Sequence, residues 1–243
     1  MRLAVLSDIH GNLPALEAVI ADLETNGADA VVNIGDCASG PLWPAETVRL
    51  LRTLNWPTVR GNHDRLISAP ASEPLGRSDS WTRSVLDADA RHWLGALPAS
   101  LEIGGVLCIH GSPRRDDEFL TDEIRNGRLG LAPNEVIEAR LDGSTASLVL
   151  CGHSHVPGTY RTPSGKTVMN PGSVGWPAYR NVSPPYVMEC GRPHARYALI
   201  EFARGEIRID HRSTEYDWMA AAARAERNGR IDWSHSLTTG TVS

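Results

Sequence analysis

Histidine, aspartate and asparagine side chains recur directly after short apolar runs of this sequence. Five such runs each lead into a polar segment that carries at least one of these residue types, at 7–12, 35–36, 61–64, 110–112 and 152–155. Five of the nine histidines lie in these segments. Because open α/β sheets bind ligands at the carboxyl ends of their strands, we expect the five segments to converge.

The residue types in these segments favour a divalent metal centre. Carboxylates and imidazoles together suit Mn²⁺, Fe²⁺, Co²⁺, Ni²⁺ or Zn²⁺, and the lack of thiolate ligands argues against a structural zinc site. Each residue alone has a simpler interpretation, as a helix cap, a turn residue or a hydrogen-bonded histidine. Two aspartates, one asparagine and four or five histidines exceed what one catalytic metal needs, so the set favours two metals about 3.5–4 Å apart. One carboxylate would then bridge them.

Composition excludes several classes of protein. The chain has 243 residues, 41% of them hydrophobic and 22% charged, which is typical of a soluble globular protein. Its net charge of −5 argues against a broad surface for long nucleic acid or for membranes. We find no apolar stretch of about 20 residues and no signal peptide, and the four cysteines are too sparse for a disulfide framework. We therefore expect a cytoplasmic protein without a membrane partner.

Apolar spacing predicts the elements that position the polar segments. The first third reads as strands at 3–6, 30–34 and 58–60 with helices at 13–23 and 44–54, and this order predicts a parallel sheet. The middle reads as a loop at 68–79, a helix at 81–94, a hairpin at 101–109, a weakly helical segment at 111–132, a helix at 135–141 and a strand at 148–151. Strands at 159–162, 167–169, 197–202 and 206–210, a helix at 216–227 and a polar tail follow. We expect two sheets in a single domain over residues 1–243.

The polar segments, taken in order, resemble the sequence blocks of calcineurin-like metallophosphoesterases. The matching blocks are Asp8-Ile9-His10, Gly35-Asp36, Gly61-Asn62-His63-Asp64, His110 and Gly152-His153-Ser154-His155. His110-Gly111-Ser112-Pro113 and the segment 170–175 are similar to those of the small prokaryotic, YfcE-like branch. The resemblance implies an α/β (α+β) fold, a four-layer αββα sandwich with two mixed β-sheets. It also implies a metal-dependent phosphoric ester hydrolase.

The same resemblance implies a role for each residue. Asp8, His10 and His155 would hold one metal, Asn62, His110 and His153 would hold the second, and Asp36 would bridge both. His63 would face the substrate as a general acid or orient its phosphate. The implied cofactors are two divalent transition-metal ions, Mn²⁺ foremost, with Fe, Co, Ni or Zn as alternatives. A hydroxide shared by them would attack phosphorus in line.

Substrate and partners are less constrained by the sequence. We expect a small phosphate-ester substrate, most simply a small or nucleotide-like diester. Phosphomonoesterase, protein phosphatase and dinucleoside polyphosphate hydrolase activities are alternatives, as is a non-catalytic scaffold for protein partners. The run after Gly35-Asp36 lacks the acidic residue and arginine of related protein phosphatases, so the sequence assigns no carboxylate partner to His63. Arg114 and Arg180 are candidate phosphate contacts that could equally be solvated, and no feature indicates the oligomeric state.

Overall fold

A computed structural model describes residues 1–70, 75–203 and 205–243. Its strands are β1 Arg2–Leu6, β2 Ala30–Asn33, β3 Ser100–Ile103, β4 Val106–Ile109, β5 Asp122–Arg125, β6 Arg128–Leu131, β7 Leu148–Leu150, β8 Gly158–Arg161, β9 Thr167–Asn170, β10 Ala178–Val182, β11 Pro185–Glu189, β12 Ala195–Ala203 and β13 Glu206–Thr214. Its helices are α1 Leu13–Asn26, α2 Pro44–Leu54, α3 Asn62–Ser68, α4 Arg77–Val85, α5 Ala88–Ala96, α6 Asn134–Arg140, α7 Trp218–Arg227 and α8 Ile231–Thr239.

Two mixed sheets pack face to face and carry helices on their outer faces. The first has the order β13-β12-β1-β2 and the second the order β3-β4-β7-β9-β8. Successive side chains of a strand point to opposite faces. Accordingly, Leu3 and Val5 of β1 pack with Cys108 and Leu150 of the second sheet, whereas Leu6 packs toward the helices. The architecture is the predicted αββα sandwich.

Parallel pairing brings the polar segments to one edge of the sandwich. β1 pairs with β2 in parallel, and β4, β7 and β9 are likewise parallel to one another. The carboxyl ends of these strands therefore lead into the segments 7–12, 34–36, 110–112, 151–155 and 171–176 at the same edge. The predicted strand 58–60 is reduced to one parallel bridge between Asn33 and Thr58.

A third sheet, of order β10-β11-β6-β5, was not predicted. The segment 111–132, expected to be weakly helical, instead contains the antiparallel pair β5–β6. Asn126 and Gly127 connect these strands, and both have positive φ angles. An Asn-Gly turn is a strong local signal for a hairpin, and this signal outweighs the faint helical spacing around it.

Two helical segments also differ from the prediction. The helix expected at 81–94 is two helices, because Leu86 is extended and the Asp87 side chain caps α5 by accepting the N–H of Ala90 at 2.7 Å. The polar tail forms α8, which buries Trp233 and Leu237 completely. The loop expected at 68–79 is helical at both ends, while its residues 71–74 lie outside the described residues.

No helix within residues 1–70, 75–203 and 205–243 is long and apolar enough to cross a membrane.

Close backbone packing joins the segment after β9 to the segment after β1. The N–H of Gly175 donates to the carbonyl of Asp8 at 3.0 Å. A Cβ at Gly175 would fall well inside contact distance of the carbonyl oxygen of Ile9. The two segments can therefore approach this closely only with glycine at position 175.

We expect Gly175→Ala to lower the free energy of unfolding by roughly 1–3 kcal/mol, because backbone atoms must shift to admit the methyl group. Thermal unfolding measures the effect. Gly130→Ala on β6 is the matched control, since an added Cβ there meets nothing within 4 Å. Equal midpoints for Gly175→Ala and the wild type would contradict this packing.

Candidate metal centre

The structure brings the seven predicted metal ligands together at the carboxyl edge of the two sheets. Asp8, His10 and His155 offer ligand atoms that all lie within 4.8 Å of one another. Asp36, His110 and His153 form a second such group. Asn62, which begins α3, places its Oδ1 atom 3.1 Å from Nε2 of His110 and so belongs with the second group.

The two groups adjoin, and a carboxylate reaches from each toward the other. Asp36 Oδ2 lies 3.2 Å from Nε2 of His110 and 4.0 Å from Nε2 of His10. Asp8 Oδ1 lies 3.2 Å from Nε2 of His155 and 4.0 Å from Nε2 of His110. Either carboxylate is therefore placed to contact ions at both positions, and the bridging role of Asp36 stays a prediction.

Backbone carbonyls orient three of the imidazoles. Nδ1 lies 2.7 Å from the Ser39 carbonyl in His10, 2.8 Å from the Ile34 carbonyl in His110 and 2.9 Å from the Trp176 carbonyl in His155. Because a carbonyl only accepts, each Nδ1–H donates, and Nε2 is the ring nitrogen that faces the centre.

The centre has the chemistry of a cation site. Nε2 of His10 and Nε2 of His155 face each other at 3.1 Å. Asp8 is fully buried, and its Oδ1 atom has no hydrogen-bond partner. Opposed lone pairs and a buried, unpartnered carboxylate oxygen are costly unless a cation lies among them. The oxygen and nitrogen donors of both groups fit divalent transition-metal ions.

The backbone is also strained at this edge. Asp8, His10, Asp36, His153 and His155 all have positive φ angles, between 51° and 65°. Such angles are uncommon outside glycine, and they persist where surrounding structure enforces them, often at functional sites. Here the N–H groups of Asp8 and His10 donate to the carbonyls of Gly35 and Asp36, which ties the first two segments together.

Charge interactions keep the two carboxylates ionised. Burial raises the pKa of Asp8, but the His155 and His110 imidazoles outweigh it and lower the pKa to about 2. Burial likewise opposes ionisation of Asp36, yet His110 and His63 hold its pKa well below the usual range. Both aspartates are therefore ready to bind cations at neutral pH.

The histidines of the centre differ in pKa because their surroundings differ. Burial lowers the pKa of His10 to about 3 and that of His153 to about 4, so both imidazoles are neutral at neutral pH. Burial also acts to lower the pKa of His110, but Asp36 outweighs it and raises the value to about 9. A metal at His110 must therefore displace a proton.

His63 has a carboxylate partner that sequence reasoning did not find. Its Nδ1 atom lies 2.8 Å from Oδ1 of Asp79 in the first turn of α4. Asp79 Oδ1 also accepts the Ser39 hydroxyl at 2.6 Å. Burial opposes the charge on His63, but Asp79, with Asp36, outweighs it and raises the pKa to about 10. Asp79 sits in a segment expected to be a loop, and no local signal marks it.

Asp64, adjacent to His63 in sequence, has a different role. Its carboxylate accepts the backbone N–H groups of Asp36, Cys37 and Gly61 at 2.9–3.0 Å. It therefore joins the segment after β2 to the start of α3. Burial, followed by repulsion from Asp36, raises the pKa of Asp64 to about 7.

The last helix supports the centre through stacked tryptophans. Trp233 of α8 is fully buried and stacks on Trp176 with ring centroids 4.1 Å apart. The indole N–H of Trp176 donates to the Ser236 hydroxyl at 3.2 Å. Because the Trp176 carbonyl orients His155, α8 fixes a residue that positions a predicted ligand. The segment was expected to be a polar tail, so its contribution was missed.

The two predicted arginine contacts are engaged elsewhere. Arg114 is exposed and pairs with Glu118, Nη2 to Oε1 at 2.9 Å. Arg180 lies on β10 and donates to the main-chain oxygen of Ser243 at 2.9 Å. Contact of either side chain with substrate therefore stays a prediction.

Comparisons with known proteins agree with this geometry. The family model of calcineurin-like phosphoesterases matches residues 1–157, which contain all seven predicted ligands and His63. An uncharacterized protein of Methanocaldococcus jannaschii is 28% identical over 260 residues, covering 95% of this chain and 94% of that protein.

Solved structures give the same result. The crystal structure of a metallophosphoesterase from Sphaerobacter thermophilus matches with a TM-score of 0.77 and 26% identity, covering 99% of both chains. That of a putative diadenosine tetraphosphatase matches with a TM-score of 0.52 and 22% identity, covering 86% of this chain and 93% of that one, which shows the shared fold. The chain belongs to the calcineurin-like phosphoesterase family.

Proposed function

We propose that this protein is a dinuclear metal-dependent phosphodiesterase acting on a small or nucleotide-like diester. Membership of the family makes it a metal-dependent phosphoric ester hydrolase. The observation that carries the dinuclear assignment is the pair of adjoining ligand groups, in which the lone pairs of His10 and His155 oppose each other beside the unpartnered Oδ1 atom of Asp8.

Two divalent ions held by these groups would supply a water nucleophile active near neutral pH and neutralise charge on the phosphoryl oxygens. We propose Mn²⁺ foremost, with Fe, Co, Ni or Zn as alternatives, because the ligand chemistry suits all of these ions. Asp8 and Asp36 stay ionised and His10 and His153 stay neutral, which are the protonation states that metal binding requires.

His63 supplies the proton for the leaving group. Its side chain is 27% exposed, so its ring is accessible to a substrate, and its Nδ1–H donates to Asp79. With the pKa raised, the imidazole is protonated at neutral pH, and the Nε2–H can be given to the departing oxygen. Asp79 orients the ring and stabilises its positive charge.

Local charge favours a diester over a monoester. A diester carries one negative charge at neutral pH, whereas a monoester carries up to two and requires more positive charge nearby. The arginines that follow the His110 segment are paired locally, Arg114 with Glu118 and Arg115 with Asp117. The phosphomonoesterase, protein phosphatase and dinucleoside polyphosphate hydrolase alternatives are separate outcomes of the assay below.

We also propose that residues 1–243 form a single cytoplasmic domain. The late strand β12 pairs directly with β1, and α8 contacts the centre through Trp176, so both ends of the chain build one unit. All four cysteines are free thiols, which accords with a reducing compartment.

The first test is an assay of metal-stripped protein with bis-p-nitrophenyl phosphate and p-nitrophenyl phosphate, each with and without added Mn²⁺. We expect Mn²⁺ to restore cleavage of the diester, with the monoester slower. Faster cleavage of the monoester would replace the phosphodiesterase assignment with a phosphomonoesterase. No turnover of either ester by protein with two bound ions would favour the scaffold alternative.

Replacement of His63 should reveal its role through the leaving group. We expect His63→Asn to lower kcat for a diester with a phenyl leaving group by about 10²–10⁴. The loss should be smaller for a p-nitrophenyl leaving group, because that weakly basic oxygen departs without a proton. The exposed His92 gives the control His92→Asn. An equal loss for both leaving groups would refute the general-acid role.

Replacement of Asp79 should shift the pH dependence. His63 must be protonated to act, so activity falls as pH rises through its pKa. Asp79→Asn removes the charge that raises this pKa, so the alkaline limb of kcat/KM should move to lower pH. Asp89→Asn is the control, because Asp89 occupies the first turn of α5 as Asp79 does in α4. An unmoved alkaline limb would show that Asp79 does not tune His63.

A further inference from the structure

A cavity of about 230 Å³ adjoins the candidate metal centre and is not used by the mechanism above. Its walls include Trp176, Tyr179, Arg180, Val182 and Arg230. These residues come from the segment after β9, from β10 and from the start of α8.

One wall of the cavity is shared with the first ligand group. The Trp176 ring lies 5.3 Å from the His10 ring and 5.9 Å from the His155 ring, measured between centroids. The Tyr179 ring lies 5.0 Å from that of His155. A group seated against these two aromatic rings is therefore separated from His10 and His155 by a single aromatic ring.

Another residue of the cavity lining, Arg230, is linked by hydrogen bonding to the segment that carries Asp79, the partner of the proposed general acid. Arg230 is 8% exposed and donates from Nη1 to the hydroxyl of Ser78 at 2.7 Å. Ser78 directly precedes Asp79, the partner of His63. The cavity is thus lined both by aromatic rings that contact predicted metal ligands and by an arginine that is hydrogen-bonded to the residue before Asp79.

The lining suits a flat aromatic group. Trp176 and Tyr179 line the cavity with rings 5.3 Å apart and inclined at 39°. Because Trp233 stacks on one face of Trp176, a bound ring can use only the remaining face and edges of Trp176 and the ring of Tyr179. Arg230 is neutralised by a bidentate pair with Asp232. Arg180 also lines the cavity, and its guanidinium would have to leave the Ser243 main-chain oxygen to lie over a bound ring in a cation–π contact.

We propose that this cavity is the subsite for an aromatic substituent of the phosphate ester, a nucleobase or an aryl ring. The proposal deepens the phosphodiesterase assignment and rests on it. The volume of the cavity lies below the roughly 300–1,000 Å³ of sites for drug-sized ligands, so the cavity fits one ring system. Specificity would then come from one planar substituent, and the second substituent would remain in solvent.

Phosphonates test the subsite independently of turnover, because their P–C bond is not hydrolysed. Binding of phenylphosphonate and of methylphosphonate to the Mn²⁺-loaded protein is measured by calorimetry. Both carry the same charged head for the metal centre, and they differ only in the group offered to the cavity. We expect phenylphosphonate to bind at least 10-fold more tightly.

Filling the cavity should remove this preference. Val182 is 82% exposed at the cavity rim, so Val182→Trp adds bulk there without disturbing the core. We expect it to reduce the preference for phenylphosphonate to less than twofold while methylphosphonate binding stays within twofold of wild type. Ile207→Trp, at an exposed position of β13, is the matched control and should retain the preference.

The outcomes separate the two proposals. If methylphosphonate binds but phenylphosphonate binds no more tightly, or if Val182→Trp weakens both equally, the subsite is refuted and the phosphodiesterase assignment stands. If neither phosphonate binds the metal-loaded protein while bis-p-nitrophenyl phosphate is still cleaved, the subsite is refuted and the phosphodiesterase assignment stands. If the diester is not cleaved either, both proposals fail. A thermal midpoint of Val182→Trp equal to that of Ile207→Trp excludes misfolding as the cause of a lost preference.

Discussion

Nε2 of His10 and Nε2 of His155 oppose their lone pairs at 3.1 Å, beside a buried carboxylate oxygen of Asp8 that has no donor. This arrangement is unfavourable in a protein interior without a cation, so the rest of the fold must enforce it. Main-chain carbonyls fix the imidazoles from behind, and left-handed backbone turns aim Asp8, His10 and His155 inward. Divalent ions bound here would remove the repulsion between these lone pairs, and the free energy released would add to the affinity for the metal.

The carbonyl anchors are themselves held by contacts that link the metal ligands to the general acid. Ser39 orients His10 with its carbonyl and holds Asp79, the partner of His63, with its hydroxyl. A methyl group at Gly40, the next residue, would collide with the ring of Trp233. One short segment therefore sets the relative position of a ligand and a proton donor, and α8 holds that segment in place.

The part of the chain beyond the family match completes both the fold and the site. β12 and β13 extend the first sheet, and Tyr179 of β10 in the third sheet places its ring 5.0 Å from that of His155. The elements after residue 157 also form most of the cavity beside Trp176. The family motifs thus account for the reacting centre, whereas the later elements shape what surrounds it.

Which residues gather, and at which edge, follows from side-chain type and βαβ order, because these local signals specify ligand chemistry and the carboxyl ends of parallel strands. Asp8, His10, Asp36 and His155 could be named on that basis. The pairing of His63 with Asp79, the third sheet and the stacking of Trp233 on Trp176 were decided only by tertiary structure. These contacts join elements whose separate sequences carry no shared pattern, so only the packing of one element against another creates them.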